Sequence, residues 1–143
     1  MNMAKKKVIV SFDYENDRRY YWMLKAWDSN KQFDFYFSDL TPTEIQSSSV
    51  DTVKRVLSRK IHDANYMIAL IGAHSNDRHP DSAKIGNRNW QAYEISKNCE
   101  YRNKLVVVKL DASYEAPFEA YGAGAEWVYS FNVTSIVKAL NSF

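Results

Sequence analysis

The sequence of 143 residues contains one cysteine, four glycines, three prolines and three histidines. A single cysteine excludes an internal disulfide and any zinc site built from several thiolates, and it suits a reducing cytoplasm. Glycine is too sparse, and wrongly placed, for a phosphate loop. No glycine-rich run with phosphate-binding spacing follows any strand-like segment, which excludes both the nucleoside triphosphatase loop and the dinucleotide fingerprint. Gly122-Ala123-Gly124 precedes a strand and reads as a turn. Long apolar runs are absent too. Tyr66 to Ile71 with its flanks falls far short of a membrane span, and Val8 to Phe12 is too short for a signal-peptide core. The formal charge of +2 does not suggest a nucleic-acid partner. A cytoplasmic protein with neither membrane nor nucleic-acid contacts is expected.

What is present is apolar and aromatic: 45% hydrophobic residues, with ten Tyr and four Trp. That is enough for one domain over residues 1–143 with a sizeable core, residues 1–6 forming a frayed basic tail. Val8-Ile9-Val10-Ser11-Phe12 reads as a buried strand, and Phe33-Asp34-Phe35-Tyr36-Phe37 as a second, near an edge. Asn65 to Ile71 is a third, ending at Gly72, Leu105 to Leu110 a fourth, and Trp127-Val128-Tyr129 a short fifth. Between them lie helical patterns. Tyr20, Met23, Leu24 and Trp27 mark the first helix. Val50, Val53, Leu57 and Ile61 mark the second, capped by Ser48 or Ser49 with Asp51 in its first turn. The third begins near Asn87 and the last carries Val133, Ile136, Val137 and Leu140. Five strands alternating with helices predict an α/β fold, a three-layer flavodoxin-like sandwich on a five-stranded parallel sheet of order 2-1-3-4-5.

Such sheets bind ligands outside the carboxyl ends of the strands, at the switch point between strands one and three. Four segments converge there: Ser11-Phe12-Asp13, Phe37-Ser38-Asp39, Gly72-Ala73-His74, and the helix start bearing Trp90 and Glu94. Trp90 and Glu94 are one turn apart on one face, while Ala92, Ile95 and Cys99 form a separate apolar face. Glu94 thus sits beside the packed seam. The bland alternative is a surface glutamate near Lys97. A phosphoacceptor aspartate would close strand three, where Ile71-Gly72-Ala73 stands instead. Asp13, Glu15 and Asp17 would repel a flavin phosphate. His74, Asp77, His79 and Asp81 lie in a polar loop without ordered ligand spacing, so no metal is expected. Cys99 reads as a small core residue and His62 as a solvated cap.

Val8 to Phe12, Tyr66 to Gly72, Trp90-Gln91-Ala92-Tyr93-Glu94-Ile95 and Leu105 to Leu110 together resemble the TIR-like family, in particular the small TIR-like proteins of the Thoeris antiphage defence system. The resemblance spans most of residues 7–110. It implies a TIR-like fold that cleaves NAD at the nicotinamide–ribose bond, with NAD as substrate and no cofactor. The product would be an ADP-ribose derivative, often cyclic, that activates a separate effector protein. The family's catalytic glutamate maps onto Glu94; Ser11, Phe12 and Asp13 would line its pocket with Asp39 nearby, and Trp90 or Phe12 would stack on a ring of the substrate. TIR sites often need a second chain, so a homo-oligomer is implied. The loop Ser38 to Ser49, with Pro42, lacks the glycine usual in the family. Arg78 lies in a long segment, Ala73 to Asn87, and Arg88 directly follows it; the two could hold a pyrophosphate or be solvated loop charges. The rival expectation is a catalytically silent TIR-like scaffold, since one fold hosts many functions.

Overall fold

A computed structural model describes residues 5–30, 33–40 and 49–143. Five strands form one parallel sheet: β1 (Lys6–Ser11), β2 (Phe35–Asp39), β3 (Tyr66–Ile71), β4 (Lys104–Lys109) and β5 (Glu126–Val128). Their order is β2-β1-β3-β4-β5, the expected 2-1-3-4-5. The helices are α1 (Tyr14–Lys25), α2 (Val50–His62), a short α3 (Ser82–Ile85), α4 (Trp90–Glu100) and α5 (Val133–Leu140).

Side chains alternate across a strand, so each apolar strand feeds two cores. Val8 and Val10 of β1, Ile68 and Leu70 of β3, and Val106 and Val108 of β4 pack with Tyr21 and Leu24 of α1 and Ile136 and Leu140 of α5. Ile9, Met67, Ala69, Ile71, Leu105 and Val107 point the other way, onto Val53, Leu57 and Ile61 of α2 and Tyr93 and Ile95 of α4. This double burial explains the near-continuous apolar runs of β3 and β4.

Several expectations are corrected. Strand β2 runs Phe35–Asp39 because Lys6 pairs with Phe35 and Val10 with Asp39; Phe33 lies ahead of it. Residues 5 and 6 are not a frayed tail: Lys6 opens β1, and the Lys5 ammonium donates to the carbonyls of Asp28 (2.7 Å) and Asn30 (2.9 Å). Met23 is 51% exposed; α1 buries Leu24 as expected, together with Asp17 and Tyr21, while Tyr20 and Trp27 are partly buried against the core. Ser49 caps α2 by accepting from the Thr52 amide, while Ser48, Pro42 and most of their loop lie outside the described residues.

β1 sits between β2 and β3, so α1 leaves it on one face and α2 returns on the other. The carboxyl ends of β1 and β3 therefore open onto a crevice between diverging connections.

Candidate active site

A cavity of about 510 Å³ fills that crevice. Phe12, Asp13 and Tyr14 line it from the end of β1, Val50 and Val53 from α2, His74, Asp77, Arg78 and His79 from the loop after β3, and Asn89, Trp90 and Gln91 from the start of α4. The loop is held by its own polar groups. The Ser75 hydroxyl accepts from the Gly72 amide at 2.9 Å. Asn89 caps α4 by accepting from the Ala92 amide at 2.9 Å, and its Nδ2 donates to the carbonyls of Ser75 (2.8 Å) and Asp77 (2.9 Å). One asparagine thus fixes both the helix start and the loop wall.

From the cavity wall a polar stripe runs down α4. Gln91, Glu94 and Asn98 follow one another at helical spacing, and all three are buried. Gln91 Nε2 donates to the carbonyls of Ser11 (3.1 Å) and Leu70 (2.8 Å), bracing the ends of β1 and β3. Glu94 is 1% exposed, and the Ser11 hydroxyl donates to its Oε1 at 2.6 Å. Its Oε2 has no hydrogen-bond partner among the described residues. Burial pushes this carboxyl well above the usual carboxylate range. The Ser11 hydrogen bond and the Lys60 charge oppose that rise, and the Asp39 charge adds to it.

A second buried carboxylate, Asp17, packs over Gly72. A Cβ at Gly72 would lie 2.1 Å from Asp17 Oδ2, so any larger residue there forces the Asp17 carboxylate to move. Burial and the neighbouring Asp13 raise the Asp17 carboxyl to about 6. Asp17 was legible as the first member of the Asp17-Tyr21-Leu24 helical face, had a charged residue been admitted to it.

The structure sorts the expected site residues into two groups. Phe12, Asp13, Arg78 and Trp90 line the cavity. Ser11 and Glu94 are joined beneath it, and the half-buried Asp39 acts on Glu94 through its charge. Trp90 and Glu94 share a helix but not a setting: Trp90 packs edge-on against His79 and Tyr93, with centroids 6.3 and 5.8 Å away. Glu94 is neither a surface residue nor a partner of Lys97, which pairs with Glu100 at 3.0 Å. Arg88 Nε donates to the Asn76 carbonyl, and Arg88 does not line the cavity whereas Arg78 does. Burial raises the half-buried Cys99 thiol, which is no activated nucleophile. Among the described residues no group of three or more His, Cys, Asp or Glu is placed to hold a metal. No helix among them is long and apolar enough to cross a membrane. Gln91, Ser75 and Asn89 were not foreseen.

Sheet order, divergent connections and the buried carboxylate under the switch point define a flavodoxin-like α/β protein of TIR-like topology. Residues 9–115 match the family described as Thoeris protein ThsB, TIR-like domain, and the chain belongs to that family. Among solved structures it is similar to the CMP N-glycosidase BcmB of Clostridium botulinum, with TM-score 0.60 and 13% identity over 96% of this chain and 100% of that one. It is also similar to a 2-desoxiribosyltransferase from Leishmania mexicana, with TM-score 0.49 and 14% identity over 75% of this chain. The match spans 66% of that enzyme's chain. At such identities the first likeness speaks to the fold alone, and the second carries no argument. No curated protein matches the chain.

Proposed function

We propose that this protein cleaves NAD at the nicotinamide–ribose bond and releases an ADP-ribose derivative, cyclic or linear, that signals to a separate effector in antiphage defence. The observation that carries the reading is the buried Glu94, held by Ser11 beneath a cavity walled by Phe12 and Trp90. Family membership supports it.

The chemistry needs only one acid. Nicotinamide leaves a cationic glycoside as a neutral molecule, so no second acid is required to protonate it. The ribose becomes oxocarbenium-like, and a carboxylate held against its hydroxyls stabilises that charge. Burial favours the neutral form of Glu94. A cationic substrate drawing near favours the carboxylate, so charge appears on Glu94 when the reaction needs it. Phe12 and Trp90 offer ring faces for stacking and exclude water. Asp13 and Asp77 suit the cationic end of the substrate, and Arg78 at the rim suits its phosphates. Water as acceptor yields ADP-ribose; a hydroxyl of the same molecule yields a ring. Glu94 is 1% exposed and outside the cavity wall, so the reading requires that wall to move before the carboxylate meets the ribose, and a second copy of the chain is expected to complete the site there.

That last feature also favours a rival, a silent interaction module whose buried acid never meets a ligand. The test is mass spectrometry of small molecules from cells expressing wild type or Glu94→Gln, before and after phage infection. NAD loss with a new ADP-ribose-derived mass in wild type only supports the enzyme. Equal metabolite profiles across several phages support the silent module. Loss of a different N-glycoside, such as CMP, with NAD untouched would overturn the choice of substrate.

A further inference from the structure

We propose that His74, oriented by Asp77, accepts the proton released when the acceptor oxygen attacks the ribose, which makes this pair the proton-transfer site of the reaction; the inference rests on the NAD-cleaving reading above.

The balance of the reaction calls for such a group. The C1′–N bond breaks with its electron pair passing to the nicotinamide nitrogen, which neutralises that ring. The acceptor oxygen, from water or from a hydroxyl of the same molecule, bonds to C1′ and gives up its proton. One proton is therefore released for either product, at the face where the acceptor stands.

Two imidazoles line the cavity, and their hydrogen bonds assign them opposite roles. His74 Nδ1 lies 2.8 Å from Asp77 Oδ2. A carboxylate there takes the Nδ1 hydrogen and leaves Nε2 as the acceptor. His79 Nδ1 accepts from the Asp81 backbone amide at 2.9 Å, which puts the hydrogen on its Nε2. His79 therefore presents a donor and His74 a base. Glu94 is assigned to the ribose hydroxyls, and Ser11 already occupies one of its oxygens.

The pair is braced, although both side chains are exposed. The Asp77 amide donates to the His74 carbonyl at 3.0 Å, and Asn89 Nδ2 holds the Asp77 carbonyl at 2.9 Å. The charges facing His74 are Asp77 on its own loop and Asp13 and Asp17 across from it; Arg78 and Asp81 line the same cavity. The hydrogen bond and charge of Asp77 lead in holding the imidazole above its ordinary 6.5, with small additions from Asp13 and Asp17. Because the base is lost on protonation, turnover falls as pH drops through the His74 pKa. The acid limb of kcat/KM then stands above 6.5.

The experiment follows NAD turnover and product masses over pH for the full chain, with Glu94→Gln as the inactive control. His74→Ala is expected to lose about 10²–10⁴-fold in turnover, the usual worth of a general base, and to regain part of it with added imidazole. Asp77→Asn keeps an acceptor for Nδ1 but removes the charge, so its acid limb moves to lower pH. An acid limb unmoved by Asp77→Asn overturns the inference, because the limb then belongs to another group such as Glu94. Unchanged turnover in His74→Ala overturns it too, as does a loss that imidazole does not restore. In those cases a wild type that consumes NAD while Glu94→Gln does not leaves the functional reading standing. A wild type that never consumes NAD, in cells or purified, removes that reading and this one together.

Discussion

Helices α2 and α4 lie against the same face of the sheet and touch each other, yet they bury opposite kinds of surface. The buried face of α2 is Val53, Leu57 and Ile61, with polar residues outside, as stability alone would choose. Helix α4 buries Gln91, Glu94 and Asn98 along with Ala92, Tyr93 and Ile95. Each of those three polar side chains leaves one oxygen without a hydrogen bond among the described residues. An unmet buried polar group costs about 1–3 kcal/mol. Helix α4 therefore carries a penalty that its neighbour avoids; Gln91 and Glu94 lie by the switch point, where this topology binds ligands, whereas Asn98 donates to the carbonyls of Asn103 and Lys104 at the amino end of β4. One helix holds the fold; the other spends stability where chemistry is proposed.

The sharpest test of that contrast is a reciprocal pair. Leu57 is fully buried, and Leu57→Ala is expected to cost about 2–5 kcal/mol of stability while turnover per folded molecule stays unchanged. Glu94→Gln should do the reverse, losing about 10²–10³-fold or more in product as a preorganised electrostatic contact would. Its stability should differ from wild type in pH dependence. The folded-state pKa of Glu94 is raised from 4.5, so the folded protein holds this proton more tightly than the unfolded chain. Stability from that proton is complete below 4.5 and is lost as pH rises toward the folded value. Asp17 adds a similar loss between 3.8 and about 6 in both proteins. Urea titrations over pH should therefore show the Gln variant gaining on wild type as pH rises. Parallel curves would mean that Glu94 is ionised in the fold.

A smaller effect is expected at the seam between α1 and β3. Gly72→Ala places a methyl group against the Asp17 carboxylate and should cost about 1–3 kcal/mol, as overpacking does. Asp17→Ala in the same chain removes the obstruction, so the double variant should recover part of the loss. Additive losses would show that the two positions are independent.

Strand order and the α2 face were legible because apolar alternation and helical spacing report burial directly. The position of β2 was less so: Phe33, Phe35 and Phe37 alternate equally well, and only pairing of Lys6 with Phe35 sets the register. Glu94 became a candidate through topology and the family motif. Its burial is not legible from the Ala92, Ile95 and Cys99 spacing, because a helix lying across a sheet buries a wider arc than that face. Gln91 and Asn98 fall within that arc. Asp17 was hidden for the same reason, since acids are assigned to solvent unless a partner is visible. The joining of Ser11 to Glu94 spans 83 positions in sequence and leaves no local signal.

The mildest prediction concerns the contact between the two helices. Tyr93 on α4 is 4% exposed, and its hydroxyl lies 3.1 Å from the Lys54 carbonyl and 3.2 Å from the Ser58 hydroxyl, both on α2. Tyr93→Phe keeps the ring, and with it the Lys54 and Lys97 ammonium groups at 5.5 and 5.9 Å from its centroid. Only the hydroxyl is lost. The Lys54 carbonyl lies inside α2, where the helix already supplies it a donor, so no orphan acceptor remains. The cost should be about 0.5–1.5 kcal/mol, read as a lower urea midpoint at unchanged slope. If α2 only supports α4, turnover per folded molecule stays within about twofold of wild type, since 1.4 kcal/mol would be needed for a tenfold change. A tenfold loss of turnover at unchanged stability would instead show that the hydroxyl sets the position of Glu94, one residue further along α4. The division between a structural and a chemical helix would then fail at the point where they touch.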